Sequence, residues 1–320
     1  MSKPIISICI PTLNRCEYLK ETIKSIVNQP EFLDGSVEIV IADNASEDGT
    51  REMVSSFKEQ YSAIVYHRNE KNIGNENFPL VLSLGHGILR KLNNDTLLFE
   101  KNSLKKLLDI VKQYQDTKPV LFFANSEVKK SEQNILSFNE FVVNASYWVT
   151  WIGGFSVWDY ECEQIRNDTE GCKERLWQVR KVYELVSDKD AAVIVNYKYG
   201  NTQTVQKKNI SYGLYQVFYV NFLNYLMPYL KSGCITQAEF DEVERDLLFN
   251  FFTNWMIAWE AQGTGFQYSE SEDLVASIKR QYVNKPYWKE FEQYYAAQKR
   301  KGKLGKLKKS IKKFLGYNKK

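Results

Sequence analysis

Short apolar runs alternate with segments of helical periodicity along the first half of the chain. Runs of five or six residues predict buried strands at residues 5–10, 37–42, 63–67, 88–92 and 119–124. Between them, apolar positions recur at helical spacing and predict helices at residues 17–28, 49–61, 75–85 and 101–115. Strands that alternate with helices in this way form a parallel sheet with helices on both faces. We therefore predict an α/β fold with a mostly parallel central sheet.

The second half of the chain has a different pattern. Residues 126–180 are rich in tryptophan and irregular, and residues 191–197 predict one more strand. Residues 210–297 carry many aromatic side chains and predict mainly helices. We therefore predict three parts, which are an α/β domain at 1–205, a helical C-terminal region at 206–298 and a tail at 299–320.

The charge of the chain is distributed unevenly between the tail and the remaining residues. The chain has a formal charge of +4, but residues 299–320 hold eleven Lys or Arg and no acid. The remaining residues carry 32 basic and 39 acidic side chains, so the body is mildly acidic. Apolar residues at helical spacing among the lysines predict an amphipathic helix on an anionic membrane surface. A disordered solubilising tail is the alternative, and we expect no nucleic-acid partner.

Cysteine content and missing motifs narrow the class of protein. The five cysteines form no CxxC pair, which favours a reducing cytoplasm and argues against a zinc cluster or a disulfide framework. No apolar run approaches the about 20 residues of a membrane-spanning helix, and the run before Pro11 is too short for a signal peptide. The sequence contains no P-loop, dinucleotide fingerprint, HExxH or GxSxG motif.

Polar clusters follow four consecutive predicted strands, at residues 11–15, 43–46, 68–74 and 93–95. One such cluster is typical of a turn. The carboxyl ends of parallel strands meet at one edge of the sheet, however, and ligands of open α/β sheets bind there. Four clusters at this edge therefore predict a continuous polar cleft.

The residue types in these clusters indicate a diphosphate ligand. Asp43 ends a strand, where its carboxylate is expected to emerge and accept a hydrogen bond from a pyrimidine base. Asp95 offers the hard oxygen that holds Mg²⁺ or Mn²⁺ together with substrate phosphates. Arg15 and Arg68 can neutralise phosphate or bind a sugar.

Three linked segments carry a family resemblance: ISICIPTLNRCEYLKETIKSIVNQ, VEIVIADNASEDGT and NEKNIGNENF. They resemble the start of a family 2 glycosyltransferase of the GT-A fold, similar to bacterial enzymes of capsule, O-antigen and teichoic-acid synthesis, including abequosyltransferase-like members. The resemblance covers residues 5–200. It implies inverting, metal-dependent transfer of a sugar from a nucleotide sugar, a UDP-sugar above all, to a hydroxyl of a cell-surface glycan. A lipid-linked acceptor agrees with a location at the inner face of the cell membrane.

The resemblance assigns the donor site to the polar edge. The residues that it places around the nucleotide sugar are Pro11, Thr12, Asn14, Arg15, Asp43, Asn72, Gly74, Asn93 and Asn94. The family's Asp-x-Asp motif falls on residues 93–95, and its last acid, the direct metal ligand, corresponds to Asp95. Asn93 replaces the first acid, which is expected to weaken metal binding. This replacement leaves a catalytically inactive binding or scaffold protein as the alternative. A nucleotidyltransferase is a third hypothesis, but it requires a basic glycine-rich loop that the sequence lacks.

Inverting transfer also needs a general base beside the acceptor. The resemblance places it in an acidic pair that opens a helix, where Glu174 matches the first acid and Arg175 occupies the second position. Glu170 and Asp168 are alternatives. In the preceding segment, Gly153 and its neighbouring glycine allow close approach of a ligand. At least one of three tryptophans is expected near the acceptor: Trp148, Trp151 or Trp158.

Overall fold

The computed structural model describes residues 3–128, 134–205, 208–209, 212–260, 266–267 and 273–314, with side chains of the last helix up to Lys301. The chain divides into two compact units. The first unit comprises Met1–Gln206 and Asn224–Thr236, and the second comprises Lys207–Leu223 and Gln237–Lys320.

The strands in the described residues are β1 (Ile6–Thr12), β2 (Val37–Asp43), β3 (Ile64–Arg68), β4 (Leu89–Leu92), β5 (Leu97–Phe99), β6 (Val120–Phe123), β7 (Ser156–Trp158), β8 (Ala192–Val195), β9 (Gly200–Thr202), β10 (Lys208–Asn209) and β11 (Phe266–Gln267). The helices are α1 (Cys16–Val27), α2 (Pro30–Leu33), α3 (Thr50–Gln60), α4 (Asn77–Ser83), α5 (Ser103–Tyr114), α6 (Phe138–Ala145), α7 (Cys162–Ile165), α8 (Trp177–Lys189), α9 (Phe222–Ser232), α10 (Gln237–Asp246), α11 (Thr253–Glu260), α12 (Leu274–Tyr282) and α13 (Trp288–Phe314).

The central sheet has the strand order β3-β2-β1-β4-β7. Its first four strands are parallel, and β7 runs antiparallel to β4. Every residue of β2 is buried, as is typical of a strand in the middle of a parallel sheet. Alternate residues of β1 pack with the apolar stripes of α1 and α5, while α4 contacts β1 and β2. The predicted mostly parallel sheet is confirmed.

The fifth predicted strand forms but has a different partner. β6 pairs in parallel with β8 in a separate two-stranded sheet, because the place beside β4 is occupied by β7. β5 pairs antiparallel with β9 in a second small sheet. The prediction was correct in the position of β6 along the chain and wrong in placing it in the central sheet.

The second unit is mainly helical, as predicted. Two π-helical segments, Gln216–Asn221 and Leu247–Phe252, lie before α9 and α11. Inside this unit Glu244 is buried and accepts hydrogen bonds from the hydroxyls of Tyr219, at 2.7 Å, and Tyr287, at 3.2 Å. These donors, together with an ion pair to Lys285, compensate for burial of the carboxylate.

The final helix, α13, includes the start of the basic tail and ends at Phe314. The predicted amphipathic surface at 299–320 falls almost entirely on side chains outside the described residues. Among the helices that the structure describes, none has both the length and the hydropathy needed to cross a membrane.

Candidate functional site

The strand register brings the polar clusters together at the carboxyl edge of the central sheet. Thr12 pairs with Asp43, and Asp43 pairs with Arg68, so these three residues lie side by side. Asn93 joins them from β4, because its backbone N–H donates to the Cys9 carbonyl at 2.8 Å. The four clusters expected at one edge therefore meet there.

The Asp95 carboxylate is oriented by residues that follow β1. The hydroxyl of Thr12 donates to Asp95 Oδ2 at 3.0 Å, and Nη1 of Arg15 lies 3.8 Å from Oδ1. The hydroxyl of Thr22, on α1, donates to the Asp95 carbonyl at 2.9 Å. The first polar cluster and the first helix thus hold Asp95 in place.

The two amides before Asp95 have unused acceptor atoms. Asn93 is fully buried, and its Nδ2 donates to the Asn94 carbonyl at 2.9 Å. The side-chain oxygens of Asn93 and Asn94 are buried and accept no hydrogen bond from any residue that the structure describes. Because a buried acceptor without a donor is unfavourable, these two atoms are places where a donor from a ligand or from water, or a cation, would be favourable.

Asp43 is enclosed by protein groups. Its side chain is 0% exposed; the backbone N–H of Ser46 donates to Oδ1 at 2.8 Å and the Tyr66 hydroxyl to Oδ2 at 2.7 Å. Nε of Arg68 lies 3.8 Å from Oδ2. Burial and the hydrogen bond to Asp43 raise the pKa of Tyr66. The carboxylate therefore does not emerge at the edge as expected, since both of its oxygens already have protein donors.

Asn44 organises the loop after β3. Its Nδ2 donates to Asn72 Oδ1 at 2.7 Å and to the Gly74 carbonyl at 3.2 Å. Its Oδ1 accepts from Asn69 Nδ2 at 3.1 Å and from the Ile73 N–H at 2.8 Å. This one side chain thereby places the Asn72 and Gly74 element beside the end of β2.

The loop from Pro11 to Arg15 is tied to the cluster after β2. The backbone N–H of Asn14 donates to the Ser46 hydroxyl, and the N–H of Glu47 donates to Asn14 Oδ1, both at 2.8 Å. Asn14 has a φ of +51°, a conformation that asparagine tolerates better than most residues. The polar clusters at residues 11–15 and 43–46 therefore form one connected surface.

Glu174 lies in an exposed loop before α8, not at the start of the helix. The helix begins at Trp177, because Gly171 and Arg175 adopt positive φ values of 82° and 65° and turn the chain before it. The predicted helix start is therefore wrong by three residues. The loop borders a cavity of about 220 Å³ whose walls include Gly74, Lys173 and Arg175. The structure thus places the Glu174 loop beside the Asn72 and Gly74 element.

The two alternatives to Glu174 differ in environment. Asp168 forms ion pairs with Arg180 and Lys181, and although burial alone would raise its pKa, these hydrogen bonds and charges lower it. The side chain of Glu170 is 82% exposed. Ion pairing makes Asp168 a poor proton acceptor.

The three candidate tryptophans differ in their surroundings. Trp158 is 1% exposed in β7, and its indole N–H donates to the Pro119 carbonyl at 2.7 Å, so it belongs to the core. The turn from Trp151 to Gly154 lies against the polar edge. A Cβ atom at Gly153 would be 2.6 Å from the Trp151 ring and 3.0 Å from Asn94 Oδ1. Of the three, Trp151 is thus placed by this turn beside the Asn93–Asp95 cluster.

Sequence reasoning missed Lys91, the most unusual side chain near this edge. It is 0% exposed, and its ammonium donates to the carbonyls of Gly153 at 2.6 Å and Leu92 at 3.0 Å. Burial lowers the pKa of Lys91 to about 7. One signal was present in the sequence: both faces of a sheet with helices on each side are covered, so charged residues inside the predicted strand at 88–92 could not be fully exposed.

A comparison with protein families matches residues 7–139 to the model described as Glycosyl transferase family 2. The chain is similar to Abequosyltransferase RfbV of Salmonella typhimurium, with 50% identity over 86 residues, which are 26% of this chain and 25% of the relative. It is also similar to a Campylobacter jejuni protein, GalNAc(5)-diNAcBac-PP-undecaprenol beta-1,3-glucosyltransferase, with 33% identity over 99 residues, 30% of this chain and 31% of that one. The matched segments span about a quarter to a third of these relatives.

Among solved structures, the chain is similar to S. aureus TarS 1-349, with a TM-score of 0.56 and 15% identity over 79% of this chain and 77% of that one. The same protein in complex with UDP-GlcNAc gives a TM-score of 0.51 at 11% identity, over 79% and 78% of the two chains. At this identity, the likeness shows a shared fold.

Proposed function

We propose that this chain, whose residues 7–139 match the glycosyl transferase family 2 model and whose fold is shared with S. aureus TarS 1-349, transfers a sugar from a nucleotide sugar to a glycan hydroxyl. The observation that carries the proposal is the polar edge itself. There the oriented carboxylate of Asp95 directly follows Asn93 and Asn94 in the chain, and the side-chain oxygens of these two residues are buried and accept no hydrogen bond within the described residues.

We propose a UDP-sugar as the donor. TarS, which shares the fold, is known in complexes with UDP and with UDP-GlcNAc. In this chain, Pro11–Arg15 and the Asn72–Gly74 element border the place for the nucleoside. Asp43 is 0% exposed, but its two hydrogen bonds leave acceptor capacity on both oxygens, so we assign the base contact to Asp43 together with its neighbours Ser46 and Tyr66.

A divalent cation, Mn²⁺ or Mg²⁺, fits the residues present. No group of three or more His, Cys, Asp or Glu side chains that could hold a metal occurs within the described residues. Asp95 and the side-chain oxygens of Asn93 and Asn94 offer an all-oxygen set, which suits a hard cation shared with substrate phosphates. When bound, the cation supplies positive charge that stabilises the leaving diphosphate. Arg15 adds a second positive charge 3.8 Å from Asp95 Oδ1.

On the acceptor side, we propose Glu174 as the general base. The acceptor hydroxyl gives its proton to the carboxylate, and its oxygen forms a bond to the anomeric carbon. The bond from that carbon to the diphosphate oxygen breaks, and the nucleoside diphosphate leaves. Attack opposite to the leaving group inverts the anomeric centre. Glu170, which is 82% exposed and lies 3.8 Å from Nη1 of Arg180, remains the alternative, whereas the two ion pairs of the less exposed Asp168 make it unsuitable.

We propose a cell-surface glycan, lipid-linked, as the acceptor. The name of the Campylobacter jejuni relative contains a PP-undecaprenol-linked glycan. The basic tail at 299–320 is suited to hold the enzyme at the anionic inner face of the cell membrane. The replacement of an acid by Asn93 favours one second candidate, a sugar-nucleotide-binding protein without turnover.

Donor hydrolysis tests the proposal without knowledge of the acceptor. UDP-, GDP-, dTDP- and CDP-sugars are incubated with the full chain, with Mn²⁺ or EDTA, and the released nucleotide is measured. We expect release from one class of donor that needs metal, is lost in Asp95→Asn and Glu174→Gln, and is retained in the exposed control Glu163→Gln. Nucleotide binding without release by the wild type would support the non-catalytic candidate. If the wild type neither binds nor hydrolyses any of these donors, both candidate functions are refuted.

A further inference from the structure

Lys91 carries an amine that is fully buried in the first unit. It lies in β4, two residues before Asn93, and no carboxylate in the described part of the chain is within ion-pair distance of its Nζ. The rings of Phe123 and Tyr199 flank Nζ at 5.4 and 4.8 Å from their centroids. Burying an amine without a carboxylate lowers the stability of the fold. An apolar residue of similar volume at this position would give a larger free energy of unfolding. Stability alone therefore does not account for a lysine here.

The contacts of Lys91 converge on one carbonyl group. Nζ donates to the Gly153 oxygen at 2.6 Å, and the Tyr199 hydroxyl donates to the same oxygen at 3.1 Å. The other acceptor of Nζ is the Leu92 carbonyl, which directly precedes Asn93. Lys91 thus connects the strand that leads into the Asn93–Asp95 cluster with the glycine turn beside it.

The glycine turn packs closely against Asn94. A Cβ atom at Gly153 would lie 3.0 Å from Asn94 Oδ1, and one at Gly154 would lie 2.4 Å from the Phe122 ring. Asn94 Oδ1 has no donor among the described residues. A shift of the turn would therefore change the packing around an acceptor atom that has no donor among the described residues.

We propose that Lys91 is a positioning residue for the donor site. By holding the Gly153 carbonyl, it fixes the turn from Trp151 to Gly154 against Asn94 and so sets the two amide oxygens beside Asp95 for the donor diphosphate. This inference rests on the proposed function, because it names a residue that prepares the same site.

Arg90 provides a matched control on the same strand. Its Nη1 donates to the carbonyls of Leu82 at 2.9 Å and Ser83 at 3.3 Å, which belong to α4. Like Lys91, it therefore links β4 to a neighbouring segment through carbonyl acceptors, but it does not contact the glycine turn.

The test compares binding with stability in the full chain. Titration calorimetry with UDP and Mn²⁺ gives the affinity of the wild type, Lys91→Met, Tyr199→Phe and Arg90→Met, and melting temperatures are measured without ligand. We expect Lys91→Met to bind UDP about tenfold or more weakly, in the range seen for residues that orient ligands, with a melting temperature equal to or above that of the wild type. Tyr199→Phe, which removes only a hydroxyl, is expected to weaken binding in the same direction. Arg90→Met is expected to bind like the wild type even if it melts earlier.

Three results would overturn the inference. Wild-type affinity in a folded Lys91→Met or in Tyr199→Phe would show that the Gly153 anchor does not prepare the donor site. Weaker binding in Arg90→Met of equal size would show that any loss of a β4 contact has this effect. If the wild type binds none of UDP, GDP, dTDP and CDP with metal, the proposed function itself fails, and this inference fails with it.

Discussion

Replacing Asn44 by alanine removes four hydrogen bonds at once. The lost partners are Asn72, the Gly74 carbonyl, Asn69 and the Ile73 N–H. Each bond contributes about 1 kcal/mol net, so the upper limit is about 4 kcal/mol. Because the loop groups are only partly buried and regain water, we expect a loss of about 2–3 kcal/mol. In a unit of this size, such a loss lowers the melting temperature by about 4–12 °C.

Calorimetric melting of Asn44→Ala measures this loss, and UDP affinity is expected to fall as well, because the Asn72 and Gly74 element loses its anchor. The control is Asn144→Ala, which removes a single exposed hydrogen bond to the Glu140 carbonyl. The control is expected to stay within about 0.5 kcal/mol of the wild type. A loss below about 1 kcal/mol in Asn44→Ala, with unchanged UDP affinity, would refute the assignment of loop order to this side chain.

Three further changes have defined outcomes. Gly154→Ala places a Cβ atom 2.4 Å from the Phe122 ring and should destabilise the protein by about 1–3 kcal/mol in urea unfolding, whereas no loss would mean that the turn can shift. Because folding lowers the pKa of Lys91 to about 7, the unfolded chain binds more protons above that pH. The stability advantage of Lys91→Met over the wild type should therefore be largest below pH 7 and shrink towards pH 9 by at most about 1.4 kcal/mol per pH unit, and a constant difference would contradict this account. Arg180→Met leaves Asp168 with Lys181 as a remaining ion-pair partner, so we expect a cost of about 1–3 kcal/mol by calorimetry; a cost below about 0.5 kcal/mol would show that the cluster is solvated.

The central strands could be predicted because burial leaves a local signal. β1 and β2 are mostly apolar, with Ser7 and Glu38 as the polar residues inside them, and every residue of β2 is buried in the structure. The partner of β6 could not be predicted in the same way. It depends on β7, a strand of only three residues that returns antiparallel to β4 and takes the neighbouring place.

The candidate site, like the fold, could be predicted only in part. The clusters at the strand ends could be located from the sequence, since the register of parallel strands brings their ends together. The enclosure of Asp43 by Tyr66 and the reach of Asn44 to Gly74 depend on side chains far apart along the chain. The predicted start of α8 was wrong because Arg175 adopts a positive φ, which cannot be predicted from an arginine in the sequence.

The measurement that tests the central claim most directly is a thermal-shift panel on the full chain and on Asp95→Ala. UDP, CDP, GDP and dTDP are each added with Mn²⁺ and with EDTA. We predict that one nucleotide, UDP first, raises the melting temperature of the wild type only when metal is present, and that Asp95→Ala shows no such rise. Equal stabilisation of Asp95→Ala, or no stabilisation of the wild type by any nucleotide, would contradict a metal-dependent donor site at the carboxyl edge of the sheet.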